Sequence, residues 1–358
     1  MKTDLLRDMP EAGWTDRLQD ALLRWYGQCA RDLPWRRTRD PYAIWISEIM
    51  LQQTQVDTVI PYYDRFLAAL PTVAALAEVP EPQLMKLWEG LGYYSRARNL
   101  QKAARQILAH HEGQLPQSPA ALRKLSGIGP YTAGAIASIA FGIPAAAVDG
   151  NVIRVYSRLC AVDADSTTTA GKALFEALGQ QLVASRDPSA YNQAVMELGA
   201  LVCSPLNPRC GLCPVADLCR GRAQGNPEAY PVKTPKAPAA EKAWQVMVYR
   251  HQGDLFLMPR TEKGLLKGLW GFPMGSPNES AAQPPLTAPP LPLGAVRHIF
   301  THQVWNMTVL LCACADRETL EALYPEGRWL SPPDLETLPI ATAFRKVLRL
   351  AAKADNSL

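Results

Sequence analysis

The sequence predicts a multidomain chain, a mainly α-helical domain followed by a smaller α+β domain, and three observations carry the division. Leu, Ala and Ile recur at three- and four-residue spacing from residue 1 to about 222, the mark of helices with one apolar face. The stretch Gly225 to Lys242, GNPEAYPVKTPKAPAAEK, then holds four prolines and little that is bulky, which is the composition of a semi-rigid linker. Beyond it the texture changes to short strand-like runs separated by turn residues. The expected boundaries are therefore 1–222 for the helical domain, 223–243 for the linker and 244–358 for the second domain.

Within the first domain, Pro61, Pro71, Pro80, Pro116 and Pro144 are expected to punctuate the helices. Ser118 can cap a helix opening at Pro119 and running to about Leu125. Gly127-Ile128-Gly129 then makes a tight turn, and Pro130 opens a second helix ending near Gly142, so that residues of about 118–142 form a helix–hairpin–helix. A further helix begins near Asn151, with Asp149 at its cap position. In the second domain, AWQVMVYRHQGDLFLMPR reads as two strands around Gln252-Gly253-Asp254. RHIFTHQVWNMTVLLCACA reads as a strand or pair of strands, and Thr342 to Lys353 as a closing amphipathic helix. Ser276 to Pro292 is expected to be a surface loop. There is no internal repeat.

The chain of 358 residues is long enough for two cores, and no apolar run is long enough to span a bilayer. Charges are scattered through the first twenty residues with no apolar core to the segment, so no signal peptide is expected and the protein reads as cytosolic. A net charge of +4 permits nucleic-acid binding without requiring it. Four of the eight cysteines crowd into 203–219, which in a reducing compartment favours metal over disulfide.

Those four, Cys203, Cys210, Cys213 and Cys219, stand at C-x6-C-x2-C-x5-C in CSPLNPRCGLCPVADLC. Thiolates so close together suit one iron–sulfur cluster or zinc. Zinc ribbons usually pair two C-x2-C knuckles, and only one is present here, so a 4Fe–4S cluster is the expectation. Cys29, Cys160, Cys312 and Cys314 have no comparable setting. The glycine-flanked turn leaves backbone N–H groups pointing outward with a helix dipole behind them. It is either a plain helix–helix corner or the grip on a DNA backbone phosphate, with Gly127 and Gly129 allowing close approach. Arg36, Arg37 and Arg39, with Arg96, Arg98, Lys102 and Arg105 beside aromatics, support DNA, though charge runs are more often solvated faces. On a helical wheel Glu48 falls among Ile44, Trp45 and Leu51, an apolar sector where a carboxyl either snorkels to water or is desolvated, so that its pKa rises. Asp149 reads as a helix cap, whose N–H groups would hold it ionised.

A helix–hairpin–helix, then VDGNV, then C-x6-C-x2-C-x5-C, in that order, resembles the endonuclease III superfamily of DNA glycosylases. LPW at Leu33–Trp35, SEIMLQQTQV at Ser47–Val56, GLGYYSRARN at Gly90–Asn99 and ELGALVC at Glu197–Cys203 narrow the resemblance to its adenine DNA glycosylase (MutY) branch. The resemblance is dense over residues 30–220 and looser after 244, where the chain resembles a Nudix-like domain without the glutamate-rich metal helix of an active hydrolase.

The resemblance implies a base-excision repair enzyme with one 4Fe–4S cluster. It implies removal of adenine from 8-oxoguanine·adenine or guanine·adenine mispairs in double-stranded DNA by a monomer, with no membrane partner. The family's bifunctional members carry a lysine where this chain has Tyr131; a phenol cannot form an imine, so a monofunctional glycosylase that leaves an abasic site is expected. The resemblance makes Glu48 the acid that protonates adenine N7 and Asp149 the group that stabilises the sugar at C1′, with Tyr131 and Asn151 in support. It makes Gln53 and Tyr93 the wedge beside 8-oxoguanine, and Trp35, Arg36 and Gln193 the walls of the adenine pocket. Phe300-Thr301-His302 matches the family's Phe-Ser-His loop that reads 8-oxoguanine, with Thr301 in place of serine. A lyase acting on oxidised pyrimidines and a non-catalytic damage-binding protein are the alternatives. The compact length suggests a bacterium, in which DNA binding would associate the protein with the nucleoid.

Overall fold

In a computed structural model, which describes residues 13–235, 238–261, 264–277 and 286–355, the apolar periodicity of the first part becomes a succession of helices. They are α1 (Trp14–Cys29), α2 (Pro41–Leu51), α3 (Val56–Ala69), α4 (Val73–Glu78), α5 (Glu81–Leu87) and α6 (Ser95–His110), then α7 (Pro119–Leu122), α8 (Pro130–Phe141), α9 (Gly150–Cys160), α10 (Thr169–Leu182), α11 (Pro188–Leu201) and α12 (Arg220–Ala223). By contacts the chain divides into two units. One is Met1–Glu78 with Arg98–Pro235, the other Val79–Ala97 with Lys236–Leu358. The segment Val79–Ala97 therefore groups with residues far downstream, which local periodicity does not reveal.

The core of the first unit is built where the apolar stripes of four helices meet. Leu18 and Leu22 of α1, Val155 and Tyr156 of α9, Phe175 and Leu178 of α10, and Val195 and Leu198 of α11 are all buried in one cluster. Each such side chain contributes about 1.5–3 kcal/mol through removal from water. Four of the five expected proline stops lie outside helices, whereas Pro61 lies inside α3. There the lost backbone bond is offset by Val59, Tyr63 and Phe66, which the helix buries on its other positions.

The helix–hairpin–helix forms as expected, with α7 shorter than predicted. Gly127 adopts φ +78, and a Cβ there would meet the Asn99 Cβ at 2.7 Å. α8 then starts at Pro130 and is closed by Gly142 in the left-handed region. Gly134 lets the backbone of the Ala146 region approach α8, since a Cβ would stand 1.9 Å from the Ala146 oxygen. That approach fixes the strand-like run that delivers Asp149 to the cap of α9.

The second unit carries β1 (Ala240–His251), β2 (Asp254–Pro259), β3 (Trp270–Gly271), β4 (Met274–Gly275), β5 (Leu291–Ile299), β6 (Gln303–Ala313) and β7 (Arg328–Leu330), with α13 (Arg317–Leu323), α14 (Pro332–Thr337) and α15 (Thr342–Asp355). The sheet runs β3-β2-β1-β6-β5, with β4 on β1 and β7 on β2. β1 and β6 pair in parallel, and β5 and β6 form an antiparallel hairpin closed by Phe300-Thr301-His302. The expected pair of strands around Gln252-Gly253 is β1 and β2, with both turn residues at positive φ. Of the loop expected over Ser276–Pro292, residues 278–285 lie outside the described residues, while Leu291 and Pro292 already belong to β5.

Candidate active site

A cavity of about 760 Å3 in the first unit gathers Trp35, Arg36, Glu48, Gln53, Gly127, Gly129, Tyr131, Asp149, Asn151 and Gln193, all singled out from sequence. They arrive on several separate elements. Glu48 comes from α2, a helix capped by Asp40 and buried over Tyr42–Met50, and it lines the cavity. Tyr131 comes from the first turn of α8, and Asp149 and Asn151 from the start of α9. Gln53 stands just past α2 at φ +60, in a region that non-glycine residues seldom occupy.

Burial pushes the Glu48 carboxyl up to about 7, and the nearby Asp149 carboxylate acts in the same direction. The Tyr131 hydroxyl donates to Glu48 Oε2 at 2.6 Å and partly opposes the shift. Asp149 accepts from the Val152 N–H at 2.8 Å and from the Asn151 amide at 2.9 Å. The cap expected from sequence is therefore present. These donors favour the ionised form, while burial outweighs them and raises the Asp149 carboxyl above its ordinary range.

Glu197, on the cavity wall, was not assigned a role from sequence. It is 1% exposed and accepts from both guanidinium groups that face it. Arg31 donates at 2.8 and 2.7 Å, and Arg36 at 3.1 and 2.9 Å. Burial pushes this carboxyl up, but the arginines outweigh it and hold it at about 2. The only sequence signal was its place in ELGALVC, four residues after Gln193 on α11. Gln193 itself accepts from the Tyr26 hydroxyl at 3.1 Å.

Several arginines read as DNA contacts have other partners. Arg37 pairs with Asp32, and Arg105 donates to the Ala77 carbonyl at 3.0 Å. Arg96 is buried beneath its own turn, donating to the Leu91 and Gly92 carbonyls at 2.9 and 3.1 Å. Charge runs do not distinguish a buried scaffold arginine from a phosphate ligand.

From Asp149 a chain of polar contacts leads to the cysteine loop. Asn151, which donates to Asp149, accepts from Arg154 Nη2 at 2.8 Å, and Arg154 Nε donates to the Cys203 carbonyl at 2.7 Å. One turn on, the buried Arg158 donates to the Ser204 and Pro205 carbonyls at 2.7 and 2.9 Å and reaches Cys203 Sγ at 3.3 Å. The four cysteines surround one hollow together with Arg158, Val202 and Ala216. Burial raises the Cys213 thiol to about 12, and the charges of Cys203, Cys219 and Cys210 push it the same way. Four thiols lining one hollow are a donor set that fits an iron–sulfur cluster.

Tyr93, Phe300, Thr301 and His302 belong to the second unit. Tyr93, at φ +47, is half exposed, and its hydroxyl shares a 2.7 Å hydrogen bond with that of Thr301. Phe300 packs edge-on between His298 and Trp305, at 4.5 and 4.8 Å between ring centres.

Residues 46–181 match the profile of the HhH-GPD superfamily of base excision DNA repair proteins. Residues 203–219 match the iron–sulfur binding domain of endonuclease III, and 245–350 a NUDIX domain. The chain is 37% identical over 414 residues to the adenine DNA glycosylase of Homo sapiens, covering 97% of this chain and 75% of that protein. This chain belongs to the adenine DNA glycosylase family. The Arabidopsis thaliana adenine DNA glycosylase is 38% identical, covering 77% of this chain and 50% of its own length. Among solved structures, a thermostable thymine-DNA glycosylase aligns at TM-score 0.55 and 31% identity, over 59% of this chain and 97% of that one. A non-covalent endonuclease III–DNA complex aligns at TM-score 0.50 and 25% identity, over 59% and 95%. This adenine DNA glycosylase is thus an enzyme of base excision repair with a 4Fe–4S cluster. No helix among its described residues is long and apolar enough to cross a membrane.

Proposed function

We propose that this enzyme excises adenine paired with 8-oxoguanine or guanine in duplex DNA and leaves an abasic site, acting as a monomer in a bacterial cytoplasm. The single observation that carries the chemistry is the pairing, in one cavity, of Glu48 held at about 7 with a second carboxyl, Asp149. Near neutral pH Glu48 keeps its proton in an appreciable fraction of molecules, as a general acid requires. Because Tyr131 donates to Oε2, the acid proton is left on Oε1 for adenine N7 of an extruded nucleotide. Asp149, oriented by Val152 and Asn151, sits to stabilise the positive charge that develops at C1′ as the bond to the base breaks. Arg36, Trp35 and Gln193 wall the base, with Glu197 holding Arg36 in place.

The absence of an amine at position 131 supports a monofunctional reaction, since no imine with the sugar can form there. Cys203, Cys210, Cys213 and Cys219 are the cluster's ligands in this reading. The cluster, when bound, orders the loop beyond α11, and Arg158 secures that loop through its carbonyls. The helix–hairpin–helix, with Gly127 and Gly129 at its turn, grips a phosphate, and the domain of residues 244–358 reads the opposite base through Phe300, Thr301 and His302. Gln53 and Tyr93, each at positive φ, are each read as a wedge residue.

An end-labelled duplex with one 8-oxoguanine·adenine pair tests the reading. Strand breakage is expected only after alkali, and Glu48→Gln is expected to lower the rate by about 10²–10⁴-fold. Breakage without alkali would make the protein a lyase, and bound but unbroken DNA would make it a binder.

A further inference from the structure

The turn that carries Tyr93 is unusual backbone: Gly90, Gly92 and Tyr93 all have positive φ, at 103, 69 and 47°. Such a turn holds one shape only if its ends are fixed. It is closed internally by Trp88 Nε1 donating to the Gly92 carbonyl at 3.1 Å and by Arg96 beneath it, whose guanidinium faces the Trp88 and Tyr93 rings. Its leading end is Glu89, and both carboxylate oxygens of Glu89 are engaged. Arg345 Nε of α15 donates to Oε1 at 2.7 Å, and Lys86 Nζ donates to Oε2 at 2.7 Å and to the Leu338 carbonyl at 3.2 Å. Glu89 is 16% exposed and Arg345 22%, so the pair is largely shielded from solvent. All of these residues lie within the second unit, as does Thr301 at the trailing end.

We propose that Glu89, clamped by Arg345 and Lys86, is a positioning residue for Tyr93 that sets how strongly the enzyme prefers adenine opposite 8-oxoguanine over adenine opposite guanine. The inference rests on the reading of Tyr93 as the wedge beside 8-oxoguanine. It assigns the clamp no contact with DNA. Its effect is to keep the turn in the single conformation that holds the Tyr93 ring beside Thr301.

The test compares single-turnover excision rates on the two duplexes for the full-length, cluster-loaded protein and the variants Glu89→Gln, Arg345→Gln, Arg345→Lys and Tyr93→Ala, with thermal melting measured alongside. Loss of a shielded ion pair that acts through Tyr93 is expected to cut the preference about fivefold or more in Glu89→Gln and Arg345→Gln. Arg345→Lys, which keeps a charge on the one oxygen that Arg345 Nε reaches, is expected to retain most of it. A lowered preference in Tyr93→Ala with none in Glu89→Gln and Arg345→Gln overturns the clamp alone. Equal slowing on both duplexes, tracking the melting temperature, also overturns it, as a merely structural role. An unchanged preference in Tyr93→Ala sinks the wedge reading and the clamp with it.

Discussion

Glu48 illustrates how one residue can serve chemistry at a cost in stability. Its carboxyl is raised from an ordinary 4.5 to about 7, so between those values the unfolded chain releases a proton that the folded chain retains. Stability is therefore undiminished below about 4.5, falls as pH rises toward 7, and stays lowered above it. Glu48→Gln removes that penalty, and we expect it to stabilise the protein on the order of 2 kcal/mol at pH 8 and hardly at all at pH 4, read by urea melts. Excision by the wild type should decline as pH rises through 7, in step with loss of the acid proton. Glu197 has the opposite sign. Held at about 2 by two arginines, it stabilises above its ordinary value and loses that contribution as pH falls from 4.5 toward 2. Glu197→Gln should cost about 2 kcal/mol at pH 7 by the same melts, with a much smaller difference at pH 3.

At the scale of elements, α8 meets the run ahead of α9 through a contact that tolerates no bulk. Gly134→Ala would drive a methyl group into the Ala146 carbonyl. We expect a loss of about 1–3 kcal/mol, read as a lower melting temperature, together with slower excision because the run leading to Asp149 must shift. These elements also show what the sequence makes legible. Helix starts at Pro130 and the Asp149 cap were readable because proline and Asx chemistry acts over three or four residues. The burial of Glu48 was readable because a helical wheel reports the sector a side chain occupies. The roles of Glu197, Arg154 and Arg158 were not, since each depends on partners brought together by packing. Arg96 is ambiguous for the same reason: a guanidinium that binds phosphate and one that ties down carbonyls look alike in a charge run. Pro61 was taken for a stop because the apolar face that holds α3 together across it counts only once the helix has something to pack on.

For the molecule as a whole, deleting residues 226–358 should narrow the preference for 8-oxoguanine over guanine opposite adenine, measured as the ratio of single-turnover rates, while adenine excision itself persists. An unchanged ratio would remove the second domain from recognition. The truncated chain would also keep Lys86, Glu89 and Tyr93 while losing Leu338, Arg345 and Thr301, the partners they have in the second unit. That unit is discontinuous along the chain, and the gap has a bearing on biosynthesis. Glu89 leaves the ribosome 256 residues ahead of Arg345. At about 5–20 residues per second that interval lasts roughly ten seconds to a minute. During it the Gly90–Tyr93 turn is on the nascent chain without its clamp, so the last structure to mature on a newly made molecule should be the turn bearing Tyr93.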